Sequence, residues 1–135
     1  MREIVFRGKR TDIGEWAYGS LLLWPDGEAT ILESKDGHTA VWKREINPDT
    51  VGQYTGLKDR DGKEIYEGDL LLFVGMVWEV GCNENLASFV LCTEYGIGST
   101  PLGEMIRSFD FKISGNIHDN PELLEDEEIS EIKMR

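Results

Sequence analysis

Asp-Gly occurs three times in this chain, at Asp26-Gly27, Asp36-Gly37 and Asp61-Gly62. Glycine accepts a positive φ without steric cost and aspartate tolerates it, so the pair suits the tight turns whose twist matches that of the strands on either side. Each such pair is a strong local signal for a hairpin between two antiparallel strands. The runs between the turns agree. Ile4 to Arg7 alternates, and Glu15 to Trp24 places Trp16, Tyr18, Ser20, Leu22 and Trp24 on one face against Ala17, Gly19, Leu21 and Leu23 on the other. Both faces are apolar at Leu21–Leu23, which predicts burial on both sides there. Pro25 presets the turn at Asp26-Gly27, Glu28 to Glu33 reads as a third strand, and His38 to Lys43 as a fourth. The first third is an antiparallel meander. Ile46-Asn47-Pro48-Asp49 breaks it, because proline biases Asn47 away from helix, and bounds an N-terminal β lobe at 1–46.

The second half is also strand-rich. Val51 to Thr55 is a short strand, Lys63 to Tyr66 leads out of the Asp61-Gly62 turn, and Glu67-Gly68-Asp69 opens the apolar run Leu70 to Val74. Met76 to Val80 alternates, Gly81 to Asn85 is a loop, and Leu86 to Thr93 is a further strand. Tyr95 to Ser99 is glycine-rich and reads as an exposed loop. Thr100-Pro101 has the pattern of an N-cap followed by proline at the first helical position, and Leu102, Met105, Ile106 and Phe109 fall on one face of a short helix that Gly103 weakens. Phe111 to Ile117 closes the lobe at 47–118. Asn120-Pro121 repeats the cap-and-proline signal, so 119–135 reads as an acidic tail or short helix fraying towards Arg135.

A formal net charge of −12 on 135 residues argues against a protein that tracks phosphates with a basic stripe, and disfavours anionic membrane surfaces. From Asp119 onward seven acids face two bases. Excess acid of this kind is ordinarily a solvated surface; a basic partner or a DNA-mimic role is compatible with it. No apolar stretch approaches membrane-spanning length, and Met1-Arg2-Glu3 leads directly into Ile4-Val5-Phe6 without a secretory pattern. The expected location is the bacterial cytoplasm. Cys82 and Cys92 flank a hairpin and are expected as reduced, buried structural thiols, with a cross-strand contact open to them.

Catalytic signatures are missing. Leu57 and Gly68 would occupy the first and last ligand positions of a calcium loop built on Asp59, Asp61 and Gly62, which removes that reading and leaves a hairpin turn. Glu64, Glu67 and Asp69 form a carboxylate cluster able in principle to hold a hard cation; the alternative is a turn in which Asp69 bonds nearby backbone amides. His38 and His118 are the only histidines and neither lies in a nucleophile motif. No catalytic residue, metal site or cofactor is assigned. Trp16, Trp24, Trp42 and Trp78 are expected to serve core packing and contact between the lobes, with an aromatic binding surface or subunit interface as the alternative.

The stretch Thr50 to Leu70, TVGQYTGLKDRDGKEIYEGDL, resembles the YopX family of phage and prophage proteins, as do the opening IVFRGKR with EWAYGSL and the segment SGNIHDNPELL at 114–124. The resemblance implies a phage or prophage accessory protein and a β-rich fold with an SH3-like barrel in the second half. A Glu-Gly-Asp turn feeding a buried strand, a hairpin, a short helix and a closing strand fits the same barrel. The expected fold is therefore mainly β: an antiparallel meander, then a small SH3-like barrel, with one or two short helices near the C-terminus. No catalytic residue carries over. Tyr54, Thr55, Tyr66, Glu67 and Asp69 match the family motif and are the expected binding surface. The expected function is a non-enzymatic binding or assembly module with a protein partner or with itself; the alternatives are an acidic DNA-mimic decoy and a metal-dependent enzyme using Glu64, Glu67 and Asp69.

Overall fold

A computed structural model describes residues 3–37, 40–93 and 96–124 of the chain. The fold is mainly β and divides into two compact units, 1–56 and 57–135.

In the first unit β1 (Phe6–Lys9), β2 (Trp16–Leu23), β3 (Ala29–Ser34) and β4 (Val41–Ile46) lead through a 3-10 turn at Pro48–Thr50 into β5 (Gly52–Lys58), which runs on past Gly56. The strand order is β4-β3-β2-β1-β5, antiparallel throughout. The Asp-Gly turns at 26–27 and 36–37 sit between β2, β3 and β4 as their chemistry requires. The fourth strand lies three residues later than the alternation predicts, and His38 and Thr39 lie outside the described residues. Asn47 caps the 3-10 turn by accepting from the Asp49 N–H at 3.0 Å.

Register fixes the two faces of this sheet. Ala17, Ala29, Ile31 and Ile46 form the buried core, with Phe6, Leu21 and Val51 packed against it. Gly8 faces Ala17, and a Cβ there would collide with the Cγ2 of Ile46, so the glycine of the IVFRGKR segment is a packing requirement. The opposite face carries Trp16, Tyr18, Ser20 and Leu22 from β2, Thr30, Leu32 and Ser34 from β3, and Val41, Lys43 and Glu45 from β4, with Trp24 just past the end of β2 bonded to Thr30. The expected two-sided burial at Leu21–Leu23 does not occur: Leu22 is 41% and Leu23 69% exposed. Leu22 lies on the face opposite the core, whereas Leu23 shares the core face with Leu21 and Ala29 but ends the strand beyond the packed cluster.

In the second unit β6 (Glu64–Tyr66) returns beside the end of β5, and β7 (Asp69–Phe73), β8 (Met76–Asn83), β9 (Ser88–Thr93), β10 (Gly96–Pro101) and β11 (Lys112–Asn116) form an antiparallel sheet in the order β10-β9-β8-β7-β11. The last strand returns to pair with the first of the five, the strand order of an SH3-like barrel; among the described residues no ladder closes β10 onto β11. The glycine-rich segment predicted as a loop is largely β10 itself, held on β9 through Thr100↔Leu91 and Pro101↔Val90 with an irregularity before Thr100. Helix α1 (Leu102–Ser108) begins one residue later than the Thr100 cap signal implies: Pro101 is the capping position and makes no side-chain cap bond. Leu102 is buried and Met105 and Ile106 pack on the core of Ile65, Leu71, Val80, Leu91 and Phe111. Phe109 lies beyond the helix end in an extended conformation and is 45% exposed, so the helical face stops short of it. Glu122–Leu124 begin a helical turn; the acidic remainder, 125–135, lies outside the described residues. No described helix is long and apolar enough to cross a membrane.

The thiols depart from expectation. Cys82 is exposed and Cys92 half-buried. Cys82 stands opposite Phe89 and Cys92 opposite Glu79, which puts the two on opposite faces of the β8–β9 hairpin and excludes a contact between them.

Candidate functional site

The family-like stretch contains two turns built on buried carboxylates. At the first, Asp59 is 6% exposed and its carboxylate accepts three backbone N–H groups, from Asp61 and Lys63 at 2.9 Å and from Ile113 at 3.0 Å. Asp59 N–H donates to the Lys63 carbonyl at 2.8 Å and Arg60 N–H to the Phe111 carbonyl at 3.0 Å. The carboxylate thus organises the Asp61-Gly62 turn and ties it to β11. Burial works to raise its pKa, but the N–H groups of Ile113, Lys63 and Asp61 and the charge of Lys63 outweigh it, and the pKa lies below the ordinary aspartate value.

At the second turn Asp69, 3% exposed, accepts from the Tyr66 N–H at 2.7 Å. Gly68, at φ 89°, donates to the Val80 carbonyl and accepts from the Ile117 N–H, both at 2.8 Å. Only glycine takes that conformation readily, which accounts for the Glu-Gly-Asp sequence. Tyr66 is 4% exposed, and its hydroxyl donates weakly to Glu64 at 3.4 Å. Glu67 is half-buried and Glu64 exposed. Asp69 is occupied by backbone as the turn reading expects, and among the described residues no group of three His, Cys, Asp or Glu is placed to hold a metal ion.

In the first unit Tyr54 and Thr55 follow one another on β5, so their side chains point to opposite faces of the strand, and they are only 4% and 5% exposed. Tyr54 N–H donates to the Val5 carbonyl at 2.8 Å. Of the five motif residues, four are therefore buried side chains, and the structure brings Tyr66 and Asp69 into direct contact.

The side chains that do reach solvent are elsewhere. On the non-core face of β2–β4, Tyr18 (44%), Leu22, Trp24 (50%) and Val41 (49%) are exposed large apolar groups. Trp24 is held by donation from its Nε1 to Thr30 Oγ1 at 2.9 Å. Contrary to the core-packing expectation, Trp24 and Trp42 are both surface residues. Trp42 is flanked by Lys35 Nζ at 3.7 Å and the Arg44 guanidinium at 4.7 Å from its ring centroid; Arg44 also pairs with Glu33 at 3.2 Å. Two shallow depressions adjoin β4. One, of about 250 Å³, is lined by Arg10, Thr11, Asp12, Lys43, Arg44 and Glu45; the other, of about 230 Å³, lies over Thr11, Thr30, Glu45 and Pro48. Arg10 is already paired with Asp12 at 2.7 Å, which leaves the first poorly suited to an added anion. The alternation in the sequence puts Tyr18, Leu22 and Trp24 on one face, and their exposure fits the aromatic-surface alternative rather than core packing.

Fold and site together define a two-unit, all-β protein whose second unit has SH3-like strand order and whose motif turns are structural. A family model described as YopX protein matches residues 5–125, and the chain belongs to that family. The crystal structure of protein EF1440 from Enterococcus faecalis is similar over 92% of this chain and 99% of its own, with a TM-score of 0.58 and 23% identity, a likeness that shows the fold alone. No curated protein matches the chain.

Proposed function

We propose that the chain is a non-enzymatic binding or assembly module of a phage or prophage, acting in the bacterial cytoplasm. The observation that supports it is the exposed face of β2–β4, where Tyr18, Leu22, Trp24 and Val41 stand in solvent on a chain of charge −12. Covering one large apolar side chain is worth roughly 1.5–3 kcal/mol, so a cluster of this kind favours a partner protein or a second copy. Light scattering on the purified protein, together with photo-crosslinking from position 18 in bacteria carrying the gene in its native setting, tests it. A strict monomer that yields no protein adduct sinks the reading.

A second reading, an acidic decoy that mimics DNA, is favoured by the charge distribution. Residues 57–135 hold seventeen of the 26 acids but seven of the 14 bases, and so ten of the twelve net negative charges. Retained activity after deletion of 125–135, which contains five of those acids, argues against it.

A further inference from the structure

The two-residue turn joining β7 and β8 is Val74-Gly75, with Phe73 opposite Met76. Both turn residues have positive φ, 51° at Val74 and 72° at Gly75. Turns of this hand favour Asn or Asp before Gly. A β-branched residue in the left-handed region is an outlier, because its Cβ crowds the backbone. Burial does not compensate, since Val74 is 78% exposed. Neither local conformation nor packing among the described residues accounts for valine here.

Its neighbours share that exposure. Met76 is 36% exposed, Leu72 41% and Phe109 45%, and the Phe109 ring lies 5.1 Å from that of Phe73. The apex is therefore convex and apolar, flanked by Phe73 and Met76 and buttressed by Phe109. We propose that this apex is a knob that inserts into an apolar pocket of a partner protein whose surrounding surface is basic. The apolar centre follows from the side chains, and the basic surround from charge complementarity with a unit carrying ten of the twelve net negative charges. Local charges are mixed, with Lys112 opposite Leu72 and Asp110 beside Phe109, so the acidic field acts at longer range. A second copy is a poor socket, because it carries the same net charge of −12 and would meet the acidic unit with like charge.

The proposal rests on the binding-module reading but concerns a different surface, and two measurements separate them. In the first, thermal unfolding of Val74→Asn is compared with the parent. Relief of the left-handed valine is expected to raise Tm by about 2–6 °C; an unchanged or lower Tm overturns the strain argument and leaves the module reading intact. In the second, a benzophenone amino acid replaces Val74, or Tyr18 as the reference position, in bacteria carrying the gene in its native setting. The expected result at position 74 is one protein adduct, mapped to an apolar pocket edged by Lys or Arg and reduced at least tenfold by Phe109→Ser in a chain that still folds. An adduct to lipid, to a second copy, or to a pocket without basic edges overturns the proposal. Adducts from position 18 but not 74 overturn it alone; no protein adduct from either position overturns it with the module reading.

Discussion

The Asp59 carboxylate accepts a hydrogen bond from the Ile113 N–H across 54 positions of chain, at 3.0 Å. One buried side chain thus joins the turn before β6 to the closing strand β11. Asp59→Ala leaves up to three backbone donors without their acceptor and is expected to cost about 2–4 kcal/mol in chemical denaturation, with Asp59→Asn costing less. The folded pKa lies below the unfolded one. The carboxylate therefore contributes its stability in full above the unfolded value near 3.9, and loses it as pH falls through the depressed folded value. An acid titration of Asp59→Asn should lack that part of the loss. Coincident acid profiles for the two proteins would remove the assignment.

Glu79 has the opposite sign. Its half-buried carboxyl is pushed up by burial. Its contribution is present below the unfolded pKa and is lost as pH rises through the folded one. Glu79→Gln should raise Tm at pH 7 and lose that advantage as the buffer approaches pH 4. A constant difference between pH 4 and pH 7 would count against it.

Gly8 and Ile46 should be energetically coupled. Gly8→Ala drives a methyl into Ile46 and is expected to destabilise by about 1–3 kcal/mol. Ile46→Ala opens space at a cost of roughly 2–5 kcal/mol. The double variant should be more stable than the sum of the two losses, by more than about 0.5 kcal/mol in a denaturant cycle; simple additivity would mean that the close approach is not the constraint.

Asp69 should behave as a backbone anchor. Asp69→Ala is expected to lower stability by about 1–3 kcal/mol. Mg²⁺, Mn²⁺ and Ca²⁺ at millimolar concentration should leave the parent Tm unchanged and give no heat in calorimetry. A cation-dependent rise in Tm that vanishes in Glu67→Gln would restore the metal reading of Glu64, Glu67 and Asp69.

The meander β1 to β4 was legible because each Asp-Gly turn has a local cause and each alternating run a face; the pairing of β5 with β1, at the far edge of the meander, has no such local signal. The Glu67-Gly68-Asp69 turn was legible for the same reason as the meander. What the alternation could not supply is which face receives a second layer. Leu21 and Leu22 look alike in the sequence, but Leu21 packs against the core and Leu22 is 41% exposed. Asp59 was visible only as a failed calcium ligand, since its partner Ile113 is too distant in the chain for any spacing rule. Gly96–Pro101 lacks the side chains that mark strands, and its place on β9 comes from backbone pairing. Phe109 fits helical periodicity, but the helix stops at Ser108.

The order in which strands pair sets what can form while the chain is being made. In the first unit β2, β3 and β4 add as successive hairpins, and β5 completes the set by pairing with β1 through Phe6↔Gln53. In the second, β7 waits for β11, and the Asp59 carboxylate waits for Ile113. During synthesis on the ribosome the first unit has all its strands some sixty residues before the second receives its last. Until then Leu70 and Leu71, both fully buried in the finished sheet, lie on a strand with one neighbour missing. A translational pause between the codons for β10 and β11 would prolong that exposure, and chaperone demand should rise there rather than earlier.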